Sequence, residues 1–387
     1  MKVINVVLND FTKDSRVHKF STTFAKLGYR VTVVGIHSSG LKEKEHNTDC
    51  NYEIRRLKLA TKGLPKSKLF VAFKFLEFLF RFIMMVRLSK PQVIHANDID
   101  GLFVGCFAKL FYRRVKVVYD SHEYQAYVNN ISPFKSQAIK FLESRLIPHV
   151  EHVILVSDSI EDAYLSDYNL CPDKTSVIYN CPDFNLHYEV GNATYFREHF
   201  DIPNDKVIFL YQGALSYGRG IENILRAFSD KSVRSDAVCI FMGNGALEAR
   251  IIDAANSSCN IFFHKSVPYT EIMRVTSSAD VGLSIIESTC LSYKYALPNK
   301  LFEYIYSGLD IIVSNNPDLA GLVMRYDFGV ILKTNEPSSL IKVINNYSKI
   351  NSNEFDRKRL DIIKRYNWAD QESTISKIYN SIDVKEV

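Results

Sequence analysis

The chain reads as an α/β protein of two doubly wound, Rossmann-like domains in tandem, and three observations predict this. Apolar runs of strand length alternate with helical stretches from end to end, the pattern of parallel sheets covered by helices on both faces. At 387 residues the chain exceeds what one core comfortably serves. Over 181–200 the alternation lapses into polar, turn-forming residues and then starts afresh. That stretch is read as the hinge, with domains over 1–184 and 185–365 and a C-terminal helix over 366–387.

In the first half the strands fall at 3–8, 30–35, 93–96, 116–120, 152–156 and 176–179. Between the first two, 14–27 carries apolar positions at helical spacing, with Asp14 placed to cap the start and Gly28 to close the end. The stretch 68–88, KLFVAFKFLEFLFRFIMMVRL, is the most hydrophobic in the chain. Lys74, Glu77, Arg81 and Arg87 interrupt it, which argues against a transmembrane span. Two readings stand: a core helix on the first sheet, or an in-plane amphipathic helix making a peripheral membrane contact. A weaker second candidate is 134–147. In the second half the strands fall at 207–211, 237–242, 261–264, 281–285, 311–314 and 329–332, and the helical tail carries the only tryptophan, Trp368.

The net charge of +5 permits an anionic partner. No Arg/Lys stripe with interleaved aromatics accompanies it, so nucleic acid is not expected. Seven cysteines, odd in number and without CxxC spacing, fit reduced thiols better than disulfides or a metal cluster. The opening MKVINVVLND turns polar too soon for a signal peptide and reads as a first buried strand. The expectation is a cytoplasmic protein, on or off the inner face of the membrane.

The richest chemical signal is 297–315, LPNKLFEYIYSGLDIIVSN. A short helix beginning near Asn299 and carrying Lys300 and Glu303 runs into a turn at Gly308 and then a strand. A helix N-terminus here would aim N–H groups and its positive dipole end at an anion, while Glu303 one turn on could accept from a vicinal diol such as a ribose. Two glycine-bearing loops precede it. YQGALSYGRG follows a strand with Gly213, Gly218, Arg219 and Gly220, and FMGNGA follows the next with Gly243, Asn244 and Gly245. Glycines after a strand allow close approach of backbone to phosphate, and Arg219 would add a fixed positive charge. In the first half, VIHANDIDG (93–101) and VVYDSHEYQ (117–125) both end strands where open α/β sheets hold ligands. They offer His95, Asp98, Asp120, His122 and Glu123.

Taken in order, these motifs resemble those of the family-four glycosyltransferases, retaining enzymes of the GT-B fold, over residues 1 to about 380. The resemblance implies two domains facing a cleft, with the tail crossing back onto the first. It implies a nucleotide-diphosphate-sugar donor on the second domain, with Glu303 on the ribose and Arg219, Lys300 and the helix N-terminus on the diphosphate. Asn299, Gly213, Gly220, Gly243, Asn244 and Gly245 would complete the donor site. His122 falls where the family's catalytic histidine approaches the transferred sugar, and Arg16 and Asp98 fall on the acceptor side. The acceptor would be a glycan or lipid-linked glycan of a bacterial surface polysaccharide. No cofactor or metal is implied: Asp98-Ile99-Asp100 spells a metal-binding DxD, but in this fold cations and the helix dipole neutralise the diphosphate.

The chain departs from the family at two places. Ala214 stands where an arginine is usual, and Tyr295 where the first of two glutamates eight positions apart is expected. Glu287, eight residues further upstream, is too distant to be equated with it. Two rivals follow: a nucleotide-sugar epimerase of similar fold, and a non-catalytic partner that binds nucleotide or glycan.

Overall fold

The computed structural model describes residues 1–12, 14–65, 67–183, 194–348 and 353–384. The chain divides into two compact units, Met1–Ile178 with Glu372–Val387, and Tyr179–Gln371. The boundary between 184 and 185 expected from sequence lies outside the described residues, as does 184–193 of the expected hinge. Within that stretch Tyr195–Phe200 is helical.

The first unit contains β1 (Lys2–Val6), α1 (Ser15–Lys26), β2 (Arg30–Ile36), β3 (Lys44–Asn47), β4 (Tyr52–Leu57), α2 (Lys68–Ser89) and β5 (Val93–Asn97). After these come α3 (Asp98–Phe111), β6 (Lys116–Asp120), α4 (Pro133–Leu146), β7 (His152–Leu155), α5 (Asp158–Tyr168) and β8 (Thr175–Val177). The strands form one sheet in the order β3-β4-β2-β1-β5-β6-β7-β8. Every pairing is parallel except the β3–β4 edge. Its central strands are buried along their length, β5 completely, because helices cover both faces. Asp14 caps α1 by accepting from the Val17 N–H.

The second unit opens with α6 (Tyr195–Phe200), β9 (Val207–Ala214), α7 (Ile221–Ser229), β10 (Ala237–Asn244), α8 (Glu248–Asn256) and β11 (Ile261–His264). It continues through α9 (Ile272–Thr276), β12 (Val281–Ser284), α10 (Leu291–Lys294), α11 (Asn299–Tyr306), β13 (Asp310–Val313), α12 (Pro317–Tyr326), β14 (Val330–Ile331), α13 (Pro337–Asn345) and α14 (Asn353–Arg365). Its all-parallel sheet runs β11-β10-β9-β12-β13-β14. One apolar cluster, including Leu210, Ile240, Phe302 and Tyr304, fills one face, and another, including Phe209, Phe228, Phe241 and Leu283, fills the other. The final helix, α15 (Trp368–Val384), starts in the second unit and belongs to the first from Glu372 onward. There Tyr379 packs its ring 4.6 Å from that of Phe24.

β9 and β10 approach so closely at their C-terminal ends that side chains are excluded. A Cβ on Gly243 would lie 1.9 Å from the Gly213 carbonyl oxygen, and one on Gly245 would lie 2.3 Å from that of Leu215. Gly243→Ala is therefore expected to cost about 1–3 kcal/mol by forcing the strands apart. Urea unfolding checks this against Gly321→Ala. Gly321 lies within α12 with nothing near its missing Cβ, so that substitution should be neutral or mildly stabilising.

Candidate active site

The second unit carries the expected donor residues at and beyond the C-terminal ends of β9 and β10 and on α11. Lys300 is almost fully buried in the first turn of α11. Its Nζ stands 3.7 Å from the centre of the Tyr211 ring and has no hydrogen-bond partner. Burial, then the positive charge of Arg219, hold this ammonium well below the usual lysine range, with Glu303 opposing them. The Arg219 guanidinium lies 5.1 Å from the centre of the Tyr293 ring, and its buried Nε is also without a partner. Two cations thus share one neighbourhood, and buried polar groups of this kind are otherwise satisfied within a protein. The α11 N-terminus adds to them, for the cap residue Pro298 supplies no side-chain acceptor to its N–H groups. Asn299 occupies its first position, half-buried.

Glu303 is held by a buried relay. The Gln212 amide donates to the Glu303 carboxylate and accepts from the Thr276 hydroxyl at 2.7 Å. The Gln212 backbone N–H in turn donates to the Tyr304 hydroxyl at 2.8 Å. This fixes one carboxylate oxygen and orients the other. Sequence reasoning did not find Gln212, Thr276 or Tyr211. Gln212 directly precedes Gly213, which was its one available signal.

The glycines divide by role. Gly213, at φ +118°, has open space where a side chain would be, as a residue facing a ligand would. Gly220, at φ +71°, sits with its missing Cβ 2.5 Å from Ile285. Only glycine suits that backbone and that gap, so Gly220, like Gly243 and Gly245, serves close packing as well as any ligand. Asn244 is exposed and donates to the Ser266 hydroxyl at 2.6 Å. Glu287 lies against the Gly218 turn, its N–H donating to the Gly218 oxygen at 2.9 Å. Burial, then Glu222, raise its carboxyl above the usual range.

In the first unit a second cluster sits at the C-terminal ends of β1, β5 and β6. The Asn97 amide nitrogen donates to the Asn5 side-chain oxygen at 2.6 Å and the Val6 carbonyl at 2.8 Å. That leaves the Asn97 oxygen facing His122 Nε2 at 3.0 Å, so Nε2 must carry the proton. Asp120 lies 3.4 Å from the same nitrogen, and Asp98 lies 3.5 Å from Nδ1. Burial disfavours the charged imidazole, but Asp98 and Asp120 outweigh it and raise His122 to about 9. At neutral pH this residue is an imidazolium and a hydrogen-bond donor. Asp98 adopts φ +57°, a strained setting for a non-glycine residue. Its carboxylate accepts there from the His122 N–H at 3.1 Å and the Gln125 amide at 2.7 Å.

Arg16 requires a correction. Expected to face an anionic ligand, it is 3% exposed and directs its guanidinium into the domain. Nε and Nη2 grip the Asp120 carboxylate at 2.9 and 2.7 Å, and Nη1 donates to the Ile178 carbonyl at 2.9 Å. Burial alone would raise the Asp120 carboxyl, but Arg16 and then His122 hold it well below the usual range. Arg16 therefore acts on His122 through Asp120. His95, from β5, is fully buried, with Nδ1 2.7 Å from the Tyr379 hydroxyl and Nε2 3.3 Å from Asp120. Glu123 contributes its backbone oxygen, which accepts from the Ser121 hydroxyl at 2.7 Å.

Two parallel, doubly wound units, one presenting unpaired cations beside a buried glutamate and the other a charged histidine at its strand ends, define a GT-B glycosyltransferase. The chain belongs to the family-four glycosyltransferases: residues 15–186 match the model described as Glycosyltransferase Family 4, and residues 193–365 that described as Glycosyl transferases group 1. Among curated proteins it is 25% identical over 293 residues to an uncharacterised glycosyltransferase of Methanocaldococcus jannaschii, MJ1069, covering 71% of each chain. Among solved structures it superposes on a sucrose-phosphate synthase from Thermosynechococcus elongatus with a TM-score of 0.80, 17% identity and full coverage of both chains. The Anabaena protein HepE, solved in complex with UDP-glucose, gives a TM-score of 0.75 at 15% identity, over 98% of this chain and 100% of that one.

Proposed function

We propose that this glycosyltransferase moves a sugar, with retention of configuration, from a nucleotide-diphosphate donor to a glycan or lipid-linked glycan acceptor of a surface polysaccharide. One observation carries the donor assignment: the unpartnered Nζ of buried Lys300 within electrostatic reach of Arg219. A diphosphate supplies the anionic acceptor that Lys300 Nζ and Arg219 Nε lack, and the same cations then stabilise the departing nucleotide as its charge develops. Glu303, oriented by Gln212, is assigned to the ribose hydroxyls. His122 donates a hydrogen bond to the transferred sugar.

Among the described residues no carboxylate presents itself as a nucleophile, so the route proposed is front-face displacement. The bond from the anomeric carbon to the leaving phosphate oxygen breaks while that to the acceptor oxygen forms on the same face. The acceptor proton passes to the phosphate, a step for which a protonated His122 is not needed as base. A uridine diphosphate sugar is the first donor to try, since HepE binds UDP-glucose.

The test is a thermal-shift screen with UDP, GDP, ADP, CMP and their common sugars, repeated on Glu303→Ala. One nucleotide should raise the melting temperature by several degrees, because ligand at about 100 Kd adds about 2.7 kcal/mol, and the variant should lose most of that shift. No shift with any nucleotide would overturn the donor assignment. Isomerisation of the donor sugar without acceptor would replace transfer with epimerisation.

A further inference from the structure

Helix α2 carries apolar residues on both sides, interrupted by Lys74, Glu77, Arg81 and Arg87, yet only one side of it is covered. Phe78, Phe82 and Val86 are fully buried. On the other side Leu69, Phe73, Leu76, Phe80, Met84 and Leu88 follow one another at spacings of three and four residues, each 43–79% exposed. Residues so spaced lie on one helix face, and this row spans roughly 28 Å at 1.5 Å per residue. The helices packed beside it expose further apolar side chains: α3 packs against α2 and α4 against α3. They expose Leu110 and Phe111, and Phe134 and Phe141, respectively. Apolar exposure of this extent marks an interaction site.

Charge identifies the occupant. Alongside Phe80, Met84 and Leu88 runs a groove of about 570 Å³ whose ionisable side chains are Lys2, Arg55 and Arg81, all cationic. Burial, then Arg30 and Arg55, hold the Lys2 ammonium below its ordinary value, with Glu53 opposing them. Arg55 does pair with Glu53 at 3.1 Å, and Arg81 with Glu77 at 2.8 Å. Glu77, the one acid of α2, is spent locally, for its carboxylate also accepts from the Ala60 and Thr61 N–H groups and the Thr61 hydroxyl. Burial opposes its ionisation, but these bonds outweigh it and lower its pKa to about 2. Arg87 and Lys90 lie exposed at the helix end.

We infer that this face docks on an anionic lipid bilayer, α2 lying in the interfacial plane with its apolar row among the acyl chains and the flanking cations at headgroup phosphates. No helix among the described residues is long and apolar enough to cross a membrane, and the contact is peripheral. The surface is independent of the donor site, and its test needs neither donor nor acceptor.

The experiment is co-sedimentation of the full chain with vesicles of phosphatidylcholine alone, or with roughly one quarter phosphatidylglycerol. Binding to the anionic vesicles, weak on the neutral ones and reduced by salt, is expected. Phe73→Asp with Phe80→Asp should lower it about tenfold or more, and Arg81→Ala with Arg87→Ala should remove its preference for anionic lipid. These side chains are exposed, so unchanged melting curves and nucleotide shifts would show that the variants fold. Three results overturn the proposal: no binding to anionic vesicles, binding indifferent to the Phe pair, or sedimentation velocity showing a dimer that the Phe pair dissociates.

Discussion

Lys300→Met is expected to lower transfer by roughly 10²–10³-fold, the loss that follows removal of one preorganised charge from a developing anion, while leaving the protein as stable as before or more so. The two effects have one cause. In the free protein the Lys300 ammonium is buried and unpartnered, so it costs folding energy, and a methionine of similar shape removes that cost by about 1–2 kcal/mol. A residue kept at the expense of stability is kept for a ligand. Arg219→Gln should reduce transfer similarly with little change in stability. Donor affinity and turnover on one side, and urea unfolding on the other, separate the outcomes. If Lys300→Met unfolds more easily and binds nucleotide normally, Lys300 is packing and the anion site lies elsewhere.

What was legible in the sequence follows from physical reach. Strands buried on both faces need unbroken apolar runs, and β9, β10, β12 and β13 announce themselves that way. The edge strand β3 and its neighbour β4 do not. In β4 Tyr52, Ile54 and Arg56 point inward, and Arg56 is buried because its guanidinium meets the Asp10 and Lys42 carbonyls and Glu45. A charge at an inward position hides the alternation that would reveal the strand. Local motifs around Glu303 and His122 located both clusters, but partners distant in sequence were out of reach. Arg16 and Asp120 are 104 residues apart, so nothing near Arg16 foretold that a carboxylate would already occupy it. Gln212 reaches Glu303 over 91 residues. Composition left α2 open between core helix and membrane surface because both its faces are apolar. The structure buries one side and exposes the other.

His122 carries the second large effect, and pH distinguishes how it acts. His122→Ala should reduce turnover roughly 10²–10³-fold, as loss of a charged donor would. In the wild type, turnover should fall as pH rises through about 9, where the imidazolium held by Asp98 and Asp120 loses its proton. A general base would show the opposite limb, with activity lost as pH falls through the same value. Stability should follow the same group. Its pKa is raised from 6.5 to about 9 on folding, so the native state binds the extra proton between those values. The contribution, on the order of 3 kcal/mol, is fully present below pH 6.5 and is lost as pH climbs to about 9. Unfolding at pH 6 and at pH 9.5, compared with His122→Gln, isolates it: the variant should lose less stability over that interval. Asp120→Asn is expected to be costlier than either, about 3–5 kcal/mol, because it strands the buried Arg16 guanidinium. If Asp120→Asn instead folds normally and its pH profile matches the wild type, the Arg16–Asp120–His122 chain does not set the histidine's charge.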